Sequence, residues 1–484
     1  MKPITKYITI LAFLLTTGGA YAQSDTLARY IDIAVRSNPL LRSEFTLYQA
    51  SLQKIPQAGA YPDPQLEIGF FIQPMEILDG KQIADFKLMQ MFPWFGTKKA
   101  AGNEATQMSR MAFEKFRDTK DKLILDLKAT WYQLANLQQR LNTIRQNKAL
   151  LTVLKDLSTS RFSAPAGQGA TQRISPSATP SPSGIQPQSG SMSGMGSMGA
   201  QTAASTPPAQ QQSSGMRQMN GGTSMNSSSG SMSDVLRVQL ELNELQDEEL
   251  AVVSQITSAA AKFNTLLNRD PGTPVDLPKT ISKQEFILDD STVMQLIKQQ
   301  NPMLRMSTAE AEAYSAKLRM DKKMSLPMLG IGLQYSIIGK RTDMGIPLTH
   351  MNGKDMVMPM VSISIPIYRN KYTAQQKESR LMKQAAEEKY QSTLTTLTSG
   401  YISVKQQLAD AGRKINLYEQ QANLAQMTYQ LAVKEFAAGK AGMTSVLDIQ
   451  RQLIDYKFKH SEAVATYNTI VATIENLMSD PQTN

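Results

Sequence analysis

The chain of 484 residues contains no cysteine. That absence excludes a disulfide framework, thiolate zinc sites, thiol catalysis and attachment of lipid at an N-terminal Cys. Histidine is almost absent as well. The two present, His350 and His460, lie far apart in sequence and offer no catalytic cluster. His350, beside Met351, reads as half of a surface pair, and His460 as a surface or packing residue on the last helix. Neither a nucleophile motif nor a Gly-rich phosphate loop is found, so no enzyme is expected. Charge of one sign is also lacking. Lys plus Arg is 51 against 41 for Asp plus Glu, a net +10 that is scattered and forms no basic stripe, so nucleic acid is not an expected partner.

Past the N-terminus no apolar run approaches the ~20 residues a membrane helix needs. The first 22 residues read as a secretory signal: Lys2 and Lys6, the apolar segment Ile8 to Leu15, and the small residues of Ala20-Tyr21-Ala22. If the mature protein enters a membrane, it must do so as β-strands.

What is present is a sequence written twice. Ser37-Asn38-Pro39-Leu40-Leu41 matches Gln300-Asn301-Pro302-Met303-Leu304, and Phe92-Pro93-Trp94-Phe95 matches Ile365-Pro366-Ile367-Tyr368. The copies close with Leu267-Asn268-Arg269-Asp270-Pro271 and Leu477-Met478-Ser479-Asp480-Pro481. The expected units are 23–271 and 289–484, joined by a linker over 272–288. Phe436 to Val446 spans 10 positions, whereas the matching stretch of the first copy, Phe162 to Val235, spans 73. The excess is a Ser/Gly/Gln/Pro/Met tract over 164–233 whose only charges are Arg173 and Arg217. Such a tract buries too little apolar surface to offset its ordering entropy and is expected to be disordered.

Each copy carries a segment of period two, over about 64–93 and 328–367. Leu329, Ile331, Leu333, Tyr335 and Ile337 fall on one face, with Gly330, Gly332, Gln334 and Ser336 on the other. Leu66, Ile68, Phe70 and Ile72 alternate likewise. The runs are close to the ~9–11 residues a tilted strand needs to cross a bilayer. Lipid forbids open sheet edges, and four strands cannot close when the smallest barrels have about eight. A membrane location therefore forces oligomerisation. In water the same strands would make a small soluble sheet.

Helical hairpins are expected over 97–268 and 372–478. From Thr97 to Phe162 there is no proline, and Leu127, Trp131, Leu134, Leu137, Leu141, Ile144, Leu151 and Leu154 recur at helical spacing. In the second copy Leu408, Ala411, Ile415, Tyr418, Ala422, Ala425, Tyr429, Ala432 and Phe436 alternate by three and four, a coiled-coil seam. Leu417, Leu424 and Leu431 form a second apolar line, as on a helix with neighbours on both sides.

Together the signal, the duplicated helix–hairpin–long-helix unit, the Asn-Pro openings, Phe92 to Lys99, Phe436-Ala437-Ala438-Gly439, Ser445 to Gln450 and Asp234 to Leu242 resemble the TolC-like outer membrane efflux family. The last segment is most similar to its metal-efflux branch. The resemblance implies a mainly α chain with a transmembrane β-barrel: a homotrimer whose twelve strands, four per chain, lie in outer-membrane lipid and continue into a periplasmic helical tunnel. It implies an inner-membrane pump of RND type and a periplasmic adaptor as partners, and no cofactor. It places adaptor docking at the hairpin tips, on Phe436, Gly439, Lys440, Gly442 and Asp234. Asp448 falls where the family often sets an acidic ring at the constriction. Ser445 stands at a position often acidic in relatives, so a double ring is not expected. Relatives of the metal branch often carry a lipidated cysteine, whose absence leaves anchoring to the barrel. By its type Asp234 is also suited to cap a helix start.

The inserted tract holds Met192, Met195, Met198, Met216, Met219, Met225 and Met232, and thioethers are soft ligands suited to Cu(I) and Ag(I). Copper or silver is one expected cargo, with drugs and other small molecules the alternative. Two other readings stay open at this point: a periplasmic coiled-coil scaffold, and a protein that sequesters metal through the tract.

Overall fold

A computed structural model of the protein describes residues 22–77, 79–163, 232–278, 280–342 and 350–479. The signal segment up to residue 21, nearly all of the tract, including Met192, Met195, Met198, Met216, Met219 and Met225, and residues 343–349 lie outside them. In chain order the elements are α1 (Ala22–Ser37), α2 (Pro39–Ala58), β1 (Gln65–Ile77), β2 (Gly80–Phe92), α3 (Thr97–Ser163), α4 (Met232–Leu266), α5 (Asp290–Gln300), α6 (Pro302–Met324), β3 (Met328–Gly339), β4 (Met356–Ser364), α7 (Arg369–Ala437) and α8 (Met443–Met478). The second long helix starts at Arg369, slightly ahead of the expected 372, because nothing after Pro366 interrupts it.

Each copy opens with the same device. Asn38 and Asn301 cap α2 and α6, their carbonyls accepting from Leu40 N and Leu41 N in one case and Met303 N in the other, with proline at the first helical position. The amide of each also reaches the end of its own copy's last helix. Asn38 Nδ2 donates to Leu266 O at 3.1 Å, and Asn301 Nδ2 donates to Leu477 O at 3.0 Å. Both of those helices end on a left-handed residue, Asn268 at φ 52° and Ser479 at φ 51°. The structural repeat therefore pairs Asn268 with Ser479, one position off the match read from the two Asp-Pro pairs. The linker is tethered at both ends. Asn264 Nδ2 donates to Pro271 O and Thr273 O, and Asn468 exchanges hydrogen bonds with Ser282 O and Gln284 N.

At ~1.5 Å per residue, α3 and α7 are each about 100 Å long. Propensity cannot hold such helices in water; packing of their apolar stripes does. Leu127, Trp131, Leu134, Leu137, Leu141, Ile144, Leu151 and Leu154 are all buried. Of the α7 seam, Ala411, Ile415, Ala425, Tyr429, Ala432 and Phe436 are buried. The second line is not: Leu417, Leu424 and Leu431 are exposed, with no neighbour on that side among the described residues. This helix stripe is one apolar surface that the single chain leaves wet.

The sheet is another. Its order is β1-β2-β3-β4, every pair antiparallel, so the two copies meet at β2–β3 and the outer edges of β1 and β4 have no strand beside them among the described residues. Leu88 lies between Leu66 and Leu333, and Ile331 and Leu333 oppose Val361 and Pro359, so these aliphatic residues of all four strands share one face. That face is bare. Phe70 is 74% exposed, Val361 76% and Ile331 61%.

Candidate conduit surfaces

Two regions carry the features of a conduit, the sheet and the far end of the helices. The sheet's other face carries charged and polar residues, glycines and methionines. Lys87 pairs with Glu67 at 3.0 Å across β1 and β2, and Gly69, Asp85 and Ser336 occupy the next row. One face thus suits hydrocarbon and the other suits water, an inversion of the usual soluble sheet, whose apolar face lies under helices. At the junction with α3, Tyr61, Phe92, Trp94, Phe95 and Lys98 cluster, with Lys98 Nζ over the Tyr61 ring. Amphipathic aromatic rings with a lysine suit the boundary between lipid and water.

The opposite end is the α7–α8 hairpin, with the start of α4 beside it. The turn is a Schellman motif: Gly439 takes φ 75°, its N–H donates to Phe436 O at 3.0 Å, and Lys440 N donates to Glu435 O at 2.9 Å. Gly439 is required there by its left-handed backbone. Gly439→Ala is expected to lower the stability of the hairpin by about 1–2 kcal/mol, measured as faster amide exchange at the tip. Lys440 and Gly442 are exposed. Phe436 is not available to a partner. It is 2% exposed and sits in a cluster with Met443, Val446 and Leu447. Its aromatic ring outweighs its place near the surface turn, so it plugs the tip from within.

Asp234 lies in the first turn of α4, two residues after the helix starts at Met232, and so does not cap it; a carboxylate there still favours the helix dipole. Met232 itself begins the helix, outside any loop. Asp448 and Ser445 are both exposed on α8, three positions apart and hence on one stripe with Asp455.

Three residues of this region escaped the sequence reading. Glu241, 93% shielded, accepts from Arg451 Nη2 at 2.5 Å and from Arg451 Nε at 2.8 Å, tying α4 to α8. The Glu241 carboxylate, then Glu244 and Asp448, hold the Arg451 guanidinium above its ordinary pKa. Glu241 stands on the seam between Val238 and Leu245, and a charge at an apolar seam position was the available signal. The third is Gln450, 1% exposed, whose two amide atoms have no hydrogen-bond partner among the described residues. A buried amide without a partner costs about 1–3 kcal/mol. Gln450→Leu is expected to raise the melting temperature, followed by circular dichroism; a lower one would mean the amide is satisfied in the assembled protein.

Among the described residues no three His, Asp or Glu side chains converge as metal ligands, and no helix is long and apolar enough to cross a membrane. Residues 293–479 match the family model described as outer membrane efflux protein. No curated protein is matched by sequence. Among solved structures, the chain is similar to the outer membrane protein VceC of Vibrio cholerae, with a TM-score of 0.65 at 13% identity over 94% of this chain and 96% of that one. It is similar to the outer membrane channel MtrE of Neisseria gonorrhoeae, crystallised in its open state, with a TM-score of 0.64 at 12% identity over 94% and 89%. CusC, whose structures concern folding and transmembrane channel formation, gives 0.65 at 12% identity over 94% and 92%. At such identities the structures establish the fold. Residues 293–479, the second copy, are thus similar to the outer membrane efflux protein family, and nearly the whole chain has the fold of the outer membrane channels.

Proposed function

We propose that three copies of the chain join their sheets edge to edge into one barrel and their long helices into a tunnel. The product is the outer-membrane duct of a tripartite efflux pump. The observation that carries this reading is the sheet with two unpaired edges and a bare apolar face. Unpaired backbone in hydrocarbon costs several kcal/mol per group, and only closure with sister strands removes it. The wet line Leu417, Leu424 and Leu431 supports the same assembly, since a neighbouring helix would cover it.

In this reading a periplasmic adaptor docks at the exposed turn around Gly439, Lys440 and Gly442, and cargo arrives from an inner-membrane pump, of RND type by the family resemblance. Asp448 of each copy faces the narrowing, where like charges focused by low-dielectric walls would draw cations. Arg451, one turn along, moderates that field. Copper or silver ions are the cargo we favour, on the thioether chemistry of the tract over 164–233 and Met232. Purified protein in planar lipid bilayers tests the conduit. It should give discrete conductance steps, and Asp448→Asn should shift the reversal potential toward anions. A protein that leaves bilayers silent would contradict the reading; an unchanged reversal potential would remove Asp448 from the pore.

A further inference from the structure

The register sorts apolar residues by type. Over the five rows from Met328–Ser364 to Asp85–Ser336–Met356, the polar face carries Met328, Met91, Met89, Met360, Met358 and Met356. No Leu, Ile, Val or Phe shares it on β2, β3 or β4 in those rows, and no methionine stands on the apolar face. An apolar filler would show no such partition. Thioether is the apolar side chain that keeps a lone pair to offer.

Two of the six meet at one serine, and a third stands in the adjacent row. Met89 and Met360 flank Gly332 on adjacent strands, and Met91 and Ser362 flank Gly330 one row on. Ser362 Oγ lies 3.6 Å from Met89 Sδ and 3.8 Å from Met91 Sδ. The glycines make the room. A Cβ at Gly330 would sit 2.7 Å from Met91 Sδ, and one at Gly332 would sit 3.6 Å from Met360 Cε.

We infer that Met89, Met91 and Met360, with Ser362 beside them, form a binding site for a soft monovalent cation, Ag(I) or Cu(I), on the water-facing wall of the barrel. The inference rests on the proposed conduit and names its cargo class at a second place, well removed in sequence from the inserted tract. Neutral thioethers fit a transit site. They prefer soft ions, yet lack the thiolate charge that would hold an ion permanently, and conduction needs sites that ions can leave.

The test uses the full chain in planar bilayers in chloride-free nitrate electrolyte, with Ag(I) added on the side of the β-turns. Wild type should be blocked by silver. M89L/M91L/M360L, whose side chains are close in volume, should conduct alike without silver and need about tenfold more of it for half-block. The inserted tract is intact in both proteins, so its own silver binding cancels. Equal block of both, or block of neither while both conduct, overturns the site and leaves the conduit standing. A wild type that never conducts sinks the conduit and the site together. If only the variant fails to conduct, silver retained by the detergent-solubilised chains decides: wild type should hold one ion more per chain, and equal retention overturns the site.

Discussion

Leu333→Arg is expected to abolish stable membrane insertion, whereas Gln334→Glu, one residue along the same strand, should be tolerated. Leu333 lies mid-strand on the bare apolar face between Leu88 and Pro359, and Gln334 lies on the polar face between Lys87 and Met358. An arginine on the lipid face near the bilayer midplane costs about 2–4 kcal/mol. In a closed trimer that cost falls three times on one barrel. The glutamate instead gains Lys87 as a neighbour and stays in water. Guanidinium unfolding from lipid vesicles, followed through the fluorescence of Trp94 and Trp131, measures both. Equal midpoints for the two variants would mean that neither face meets lipid.

Phe436→Ala should loosen the tip of the α7–α8 hairpin without touching the sheet. The ring is buried among Met443, Val446, Leu447, Tyr429 and Ala432, and truncating a buried Phe costs about 3–5 kcal/mol. The loss is local because α7 runs about 100 Å to the sheet and is held along the way by separate clusters. Amide exchange should therefore accelerate steeply over 429–447 and stay unchanged over β1 to β4. Uniform acceleration would show that the two ends unfold as one unit. Unchanged exchange at the tip would show that the ring is not its core.

Arg451→Ala should have a smaller effect at the same end. It leaves the Glu241 carboxylate buried without its partner, at about 1–3 kcal/mol, and frees α4 from α8. Restoration by the second change Glu241→Ala would identify the pair as the cause, measured by the same exchange rates.

The long helices and the sheet were legible because their patterns are long. A stripe sustained from Leu127 to Leu154 has one physical solution, and so does strict alternation from Leu329 to Ile337. Single positions were harder to read. Phe436 stood both at the end of the α7 seam and, by the family resemblance, at the docking tip, and its burial follows the seam. Leu417, Leu424 and Leu431 read as packed, and one chain leaves them exposed, since periodicity records a neighbour without saying whose it is. The Arg451–Glu241 tie joins residues 210 positions apart, a distance no local pattern spans. The methionine partition was hidden for a related reason. Which side of the sheet Met89 and Met360 share depends on register across β3, and alternation fixes faces within a strand only.

The mass of the mature full-length protein, taken by native mass spectrometry from detergent and again from detergent-free buffer, is the most direct test of edge-to-edge closure. We predict three chains in the micelle and insolubility once detergent is withdrawn. A single chain that remains dissolved in plain buffer would contradict closure, and the duct with it.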